Sequence, residues 1–570
     1  MIQEMYDLWK EKATADPDLV RELNTIAGDD EAISDRFYKS LEFGTGGLRG
    51  EIGAGTNRMN IYTVGKATQG LAEYILSVQK DGGKAAIAYD SRIKSDLFAK
   101  VAASVLAANG IHVYIYPELM PTPMLSYAVR YYHCDAGIVI TASHNPAKYN
   151  GYKAYGSDGC QLNLEASKTV LSIMNQVDIF NGVRTMDFDE AVQKGLVTYI
   201  PQETIDSYLT CVQSRSVSSG CDLSNLKVVY TPLHGTGNKP VRSILKRIGV
   251  GLVTVVPEQE LPNGHFPTAP YPNPEIAQAF ECALKLADQV RPDLLLATDP
   301  DCDRVGIAVL HEGEYKLMSG NDVGALLLDF VLKRRTADGT LPKNPIAVKT
   351  IVTSDLCQKI CDHYHCQLIN VLTGFKFIGE QIGLLEKKGE ENRFVFGFEE
   401  SYGYLSGGYV RDKDAVVASM LICEMVAFYK QQGLDLTQVL GGLYQEYGYY
   451  FCSQKSFTFE GESGMNHIAA VMNRLRNDGP KEICGHRVLA VRDYLAGKVT
   501  DLATQNTQPI SLPQSNVLCF VLDNTSTLTV RPSGTEPKIK FYISAVASSE
   551  SACRAHQKEL ESTCENLLKL

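Results

Sequence analysis

Ala85-Ala86-Ile87-Ala88-Tyr89, Val113-Tyr114-Ile115-Tyr116 and Gly137-Ile138-Val139-Ile140 are short apolar runs of the length and composition of buried strands. Between the first two, residues 96–109 carry apolar side chains at helical spacing and stop at Gly110. Strand–helix alternation of this kind predicts layered α/β units around a mostly parallel sheet. Further along, the pattern restarts with runs at 226–230, 252–256 and 294–297. A third series follows Asn321, with a helix and then runs at 346–348, 351–352, 368–371 and 394–396. The end differs. Residues 517–522, Asp523-Asn524 and 527–530 read as an antiparallel hairpin, followed by a strand at 540–543 and a closing helix at 550–570. The expected fold class is therefore α/β: three related mixed-sheet α/β domains (1–210, 211–320 and 321–450) and a C-terminal α+β domain (451–570).

Composition bounds the function. The 570 residues suffice for about four domains of ordinary size. Hydrophobic residues at 44% and charged residues at 21% describe a soluble globular chain. Fifty-five Lys and Arg against 66 Asp and Glu give a formal charge of −11, which argues against a nucleic-acid or anionic-membrane partner. Fifteen scattered cysteines form neither a disulfide framework nor a paired zinc motif, so reduced thiols in the cytoplasm are expected. The first residues carry acids where a secretory leader would carry Lys or Arg, and no run reaches the ~18 apolar residues of a membrane span. The most apolar long segment, 415–429, is interrupted by Ser419 and Glu424 and reads as a core helix.

Five segments carry groups suited to chemistry. Thr141-Ala142-Ser143-His144-Asn145-Pro146 follows an apolar strand, which puts Ser143 at the strand's C-terminal mouth, where open α/β sheets place their sites. Turn formers explain part of it, but not a Ser beside a His followed by Tyr149-Asn150-Gly151-Tyr152-Lys153. Asp299-Pro300-Asp301-Cys302-Asp303-Arg304 alternates carboxylates, so three of them can converge in an extended segment. Unpaired they would repel; oxygen-only ligands favour Mg²⁺. A calcium EF-hand loop fails, because Arg304 and Leu310 occupy the Gly and Glu positions. Arg531-Pro532-Ser533-Gly534-Thr535 offers a guanidinium fork, two hydroxyls and a close backbone approach, which suits a phosphate. Gly397-Phe398-Glu399-Glu400-Ser401-Tyr402 carries groups that can bind sugar hydroxyls. Phe43-Gly44-Thr45-Gly46-Gly47-Leu48-Arg49-Gly50 is glycine-rich, yet its spacing fits neither the dinucleotide fingerprint nor a P-loop.

In this order, the segments at 141–146, 299–304, 397–403 and 531–535 resemble the α-D-phosphohexomutase superfamily, which includes phosphoglucomutases and phosphomannomutases. The N-terminal lead and the 43–53 segment look most like the long bacterial phosphoglucomutases and the phosphopentomutase-like branch. The resemblance implies a four-domain, heart-shaped Mg²⁺-dependent isomerase in which each domain gives one loop to a shared cleft. Ser143 would carry the phosphoryl group, with Asp299, Asp301, Asp303 and a phosphoserine oxygen around Mg²⁺. Arg49, His144 and Lys153 match positions near the transferred group, and Arg304 follows the metal ligands on the substrate side. Glu399 and Ser401 would grip sugar hydroxyls, with Thr373 and Gly374 in the other sugar-facing loop. Lys413 falls in a phosphate-side cluster, and Arg531, Ser533, Gly534 and Thr535 would hold the non-reacting phosphate.

The implied reaction interconverts α-D-glucose 1-phosphate and glucose 6-phosphate, with glucose 1,6-bisphosphate as intermediate and activator. The base that relieves the attacking hydroxyl of its proton is Lys153 or His144; spacing does not choose. The partner is a small sugar phosphate, and the chain is a monomer or small homo-oligomer. Mannose or pentose phosphates are alternative substrates. Two other readings compete. Asp301-Cys302-Asp303-Arg304-Val305 also fits an aspartyl-phosphate phosphatase with Asp301 as nucleophile. A non-catalytic sugar-phosphate sensor is the second, although Ser143 and all three aspartates are retained.

Overall fold

The computed structural model describes the chain except Met1, Thr45, Lys80, Asp81, Glu460, residues 534–536 and Leu570, together with the side chains of Gly461 and Glu462. It divides into two compact units. The first comprises Met1–Met318, Ile378–Phe394 and Ser401–Gln432; the second comprises Ser319–Phe377, Val395–Glu400 and Gly433–Leu570.

The first unit holds two sheets built on one plan. In the six-stranded sheet the order is Gly47–Glu51, Tyr149–Gly156, Ala136–Ile140, Gly83–Tyr89, Ile111–Ile115 and Val197–Tyr199. The inner strands pair in parallel, as the apolar runs predicted, because residues 85–88 and 136–140 are covered on both faces. Tyr149–Gly156 then returns antiparallel to Ala136–Ile140, with Val139 opposite Lys153. In the five-stranded sheet the order is Glu314–Leu317, Val305–His311, Leu294–Thr298, Lys227–Thr231 and Leu252–Val255. Here too Leu294–Thr298 is parallel to Lys227–Thr231, while Val305–His311 returns antiparallel beside it. Both 141–148 and 299–304 are thus turns between a buried strand and its antiparallel neighbour.

The N-terminal lead forms the helices Ile2–Lys12, Pro17–Thr25 and Asp30–Phe37. Asp16 and Asp29 cap the second and third by accepting from Asp18 and Ala32 N–H groups. The lead packs around the fully buried Trp9, which meets Phe37, Tyr62 and Phe180 edge-on. Ala415–Lys430 is the core helix expected, capped by Asp414 and buried on nearly every face. Its buried Glu424 accepts from Ser216 Oγ and from Val217 N at 2.9 Å.

The second unit contains the strands Gln367–Val371, Ile346–Thr350 and, from Val395 onward, Phe394–Glu399 in that order. The run at 351–352 is not a strand: the chain turns there, directly after Thr350. A strand-rich sheet follows, in which Leu518–Leu522 and Thr527–Pro532 pair antiparallel, with Cys519 opposite Thr529. Thr527–Pro532 pairs in turn with Lys538–Ala547, and Glu550–Leu567 closes the chain. All fifteen cysteines are free thiols. No helix among the described residues is long and apolar enough to cross a membrane.

Candidate active site

In the first unit the turn after Ala136–Ile140 meets the turn after Leu294–Thr298. Ser143 is buried and left-handed (φ 52°), a conformation held locally by its N–H donating to Thr141 Oγ1 at 2.8 Å. Its hydroxyl donates to Asp299 Oδ2 at 2.8 Å and lies 3.1 Å from His144 Nδ1. The other Asp299 oxygen accepts from the N–H groups of Asp303 and Arg304, at 3.1 and 3.0 Å, which folds the aspartate segment around its first member.

The three aspartates are buried, and one oxygen from each lies within 4.8 Å of the others. Asp301 Oδ2 accepts from Thr122 Oγ1 and Lys153 Nζ, both at 2.9 Å. Lys153 reaches Asp303 at 3.6 Å, and Lys413 reaches it at 3.2 Å. Among the described residues Asp301 Oδ1 and Asp303 Oδ1 have no hydrogen-bond partner. Buried carboxylate oxygens left over in this way, in an oxygen-only set, fit a hard divalent cation.

Burial, reinforced by the charges of Asp301 and Asp303, pushes the Asp299 carboxyl well above its ordinary range. Burial acts on Asp301 in the same direction, but the Lys153 ammonium and the hydrogen bonds hold it below that range. Lys153 is raised in return: the carboxylates of Asp301 and Asp303 outweigh its burial. Burial, then the positive charges of Arg304 and Arg49, push His144 well below its usual value.

Three of the remaining predicted residues, Arg49, Arg304 and Lys413, gather here. Arg49 lies opposite Gly151 in the edge pairing and is exposed. Arg304 pairs with Glu275, and Lys413 also lies 3.3 Å from Asp412. Ser401 belongs to the first unit and is half-buried, as is Thr373 in the second. The second unit makes its own cluster. The N–H of Gly374, at φ 117°, donates to Glu399 Oε1 at 2.7 Å. Glu400 accepts from Thr350 Oγ1 at 3.1 Å; burial, then the adjacent Glu399, raises its carboxyl to about 7. The charges of both Glu400 and Arg531 act on Tyr542. Ser533 N–H donates to Lys538 O at 2.7 Å, just past the strand Thr527–Pro532 that carries Arg531 opposite Lys540. Gly534 and Thr535 lie outside the described residues.

Three contributors escaped the sequence reading. Thr122 holds Asp301 by hydroxyl and by backbone, its N–H donating to Asp301 O at 2.9 Å. Residues 231–237 brace the aspartate segment: Thr236 donates from both N and Oγ1 to Pro300 O. Arg92, fully buried, donates to carbonyls of residues 143–149. A signal existed, since Asp90-Ser91-Arg92 and 231–237 both follow strand ends, the rule already applied to Ser143.

A serine-bearing turn and a triple-carboxylate turn on twin α/β sheets, with a strand-rich C-terminal region, go with the class of sugar-phosphate mutases, which are isomerases. Residues 40–179, 206–313 and 319–447 match, in order, "Phosphoglucomutase/phosphomannomutase, alpha/beta/alpha" domains I, II and III. The chain belongs to the phosphoglucomutase/phosphomannomutase family. It is 37% identical over 509 residues to the phosphoglucomutase of Staphylococcus saprophyticus, covering 89% of this chain and 91% of that one. It is 37% identical over 542 residues to that of Staphylococcus aureus USA300, covering 94% and 95%. Among solved structures, the phosphoglucomutase parafusin of Paramecium shares the fold at a TM-score of 0.68 and 18% identity, covering 93% and 95%. A Burkholderia thailandensis phosphoglucomutase/phosphomannomutase family protein does so at 0.64 and 16%, covering 92% and 97%.

Proposed function

We propose that this protein is a phosphoglucomutase that interconverts α-D-glucose 1-phosphate and glucose 6-phosphate by lending and reclaiming a phosphoryl group on Ser143. The observation that carries this reading is the Ser143 hydroxyl 2.8 Å from Asp299, within a buried set of three carboxylates. Asp299, Asp301 and Asp303 would hold Mg²⁺, which supplies positive charge to phosphoryl oxygens during transfer. Phospho-Ser143 gives its phosphoryl group to the 6-hydroxyl of glucose 1-phosphate; of the two candidates for the hydroxyl proton, His144 is the neutral one, since Asp301 and Asp303 hold Lys153 as an ammonium. The resulting glucose 1,6-bisphosphate turns over, and its 1-phosphate returns to Ser143, releasing glucose 6-phosphate. Arg49, Arg304 and Lys413 bring positive charge to the phosphate side. Glu399 and Ser401, with Thr373 and Gly374, take the sugar hydroxyls, and Arg531, Ser533, Gly534 and Thr535 the idle phosphate. The fifteen free thiols support a cytoplasmic enzyme, acting as a monomer or small homo-oligomer.

Ser143→Ala tests the reading. Turnover of glucose 1-phosphate is expected to fall at least ~10³-fold, as for loss of a covalent nucleophile. Undiminished turnover defeats the assignment. The phosphate on the wild-type protein is expected to survive hydroxylamine; lability identifies an acyl phosphate on Asp301 instead. Ratios of kcat/KM for glucose, mannose and ribose 1-phosphates decide the sugar.

A further inference from the structure

Arg92 has a fully buried guanidinium that the reaction as described does not use. Its Nη2 donates to the carbonyl oxygens of Ser143, at 2.5 Å, and of Asn145. Its Nη1 donates to those of Pro146 and Tyr149, at 2.9 and 3.0 Å. Four carbonyls between Ser143 and Tyr149, three in the turn and one at the start of the returning strand, thus converge on one cation. Asp90 lies 3.4 Å from Nε, and the guanidinium carbon sits 5.0 Å over the ring of Phe266. Phe266 is fully buried and comes from the part of the chain that carries the second sheet, between Leu252–Val255 and Leu294–Thr298. Gly264 packs against the backbone of residues 91–93 from the same side. The Ser143 turn is therefore fastened at one point both to its own sheet and to the domain that presents the three aspartates.

We propose that Arg92 is a positioning residue for phosphoryl transfer: it fixes the turn 143–149 so that the Ser143 oxygen faces the aspartate set. This rests on Ser143 being the phosphoryl carrier. Three physical considerations support it. A non-glycine residue in the left-handed region persists only where its surroundings over-determine it. At Ser143 the restraints are the Thr141 hydroxyl on its N–H and Arg92 on its C=O. A phosphoserine carries close to two negative charges beside three carboxylates, so the turn is pushed outward, and a planar fork bonded to four carbonyls resists that force. Transfer tolerates little misplacement of the reacting atoms, so loosening the turn costs rate before it costs substrate binding. Lysine would keep the charge but offers a single nitrogen and no fork.

Arg92→Lys provides the test. In single-turnover transfer from phosphorylated enzyme to glucose 1-phosphate, the rate is expected to fall roughly 10- to 100-fold, with KM changed less than about twofold. Amide exchange across residues 143–149 is expected to rise, while the melting temperature of the chain stays within a few degrees. A wild-type transfer rate per folded molecule overturns the proposal, as does a rate loss that merely follows the unfolded fraction. If Arg92→Lys does not accumulate, Phe266→Leu carries the test, because it removes the ring against which the guanidinium is held and so loosens its grip on the four carbonyls. A transfer rate lowered at least threefold is expected, and an unchanged rate overturns the proposal. Ser143→Ala run alongside separates the two claims. If that variant is inactive and Arg92→Lys is normal, only the positioning role falls; if it retains full turnover, the carrier role falls as well.

Discussion

Single residues in the aspartate set oppose one another. Three carboxylates brought together away from water repel, and the protein counters this with the Lys153 ammonium at 2.9 Å from Asp301 and 3.6 Å from Asp303. Lys153→Met removes that counter-charge while keeping most of the side-chain volume. The metal-free variant is expected to melt several degrees below the wild type, and Mg²⁺ to restore most of the difference; a melting temperature unaffected by either change removes Lys153 from the electrostatic account. Asp301 was legible in the sequence because carboxylate alternation and strand-end position are local signals, whereas Lys153, inside the strand Tyr149–Gly156, was assigned a role through the family resemblance. Thr122 and Arg92 were not, because each acts on a partner far along the chain: Thr122 on Asp301, and Arg92 on residues 143–149. Gly235 belongs with them. A Cβ there would lie 2.6 Å from Pro300 O, so the glycine lets two segments touch that are distant in sequence.

At the scale of elements, two of the site's segments are turns from one strand into an antiparallel neighbour: 141–148 and 299–304. Apolar runs announced the first strand of each pair, so the turns could be located without coordinates. The returning strands were harder to see, since Tyr149–Gly156 mixes glycine, lysine and tyrosine and lacks a strand's apolar signature. The misread run at 351–352 shows the converse, an apolar pair that follows a buried strand without extending it. The strand end at Glu399 and Glu400 carries a pH dependence of its own. Glu400 stands against Glu399, Thr350, Lys540 and Tyr542, and its carboxyl is raised to about 7, first by burial and then by Glu399. A raised carboxyl favours the folded state while protonated. Its contribution is complete below the ordinary glutamate range near 4.5 and is lost as the pH rises through about 7. Glu400→Gln removes that loss. Relative to wild type, the variant's urea midpoint is expected to be higher at pH 8 than at pH 5.5; an equal difference at both pH values refutes the assignment.

For the whole molecule, metal and proton compete for the same oxygens. The chain carries a formal charge of −11, and three of its acids are buried in one place, so the folded protein holds repulsion that a divalent cation relieves. A ligand bound only by the folded state stabilises it by about 2.7 kcal/mol at a hundred times its Kd. Mg²⁺ is therefore expected to raise the melting temperature of the intact chain, whereas KCl at matched ionic strength does not, because buried charges are poorly screened from solvent. The sign with pH follows from ligand chemistry. Carboxylates bind the cation in their ionised form, so acid displaces it, and the Mg²⁺-induced shift is expected to be largest near pH 8 and to shrink toward pH 5. Asp301→Asn loses a charged ligand and leaves Lys153 without its nearest partner, so it is expected to need at least tenfold more Mg²⁺ for half of the shift. Melting curves in EDTA and in graded Mg²⁺ at the two pH values measure both quantities. A shift that KCl reproduces, or that Asp301→Asn leaves at the wild-type midpoint, would place the cation somewhere other than among the three aspartates.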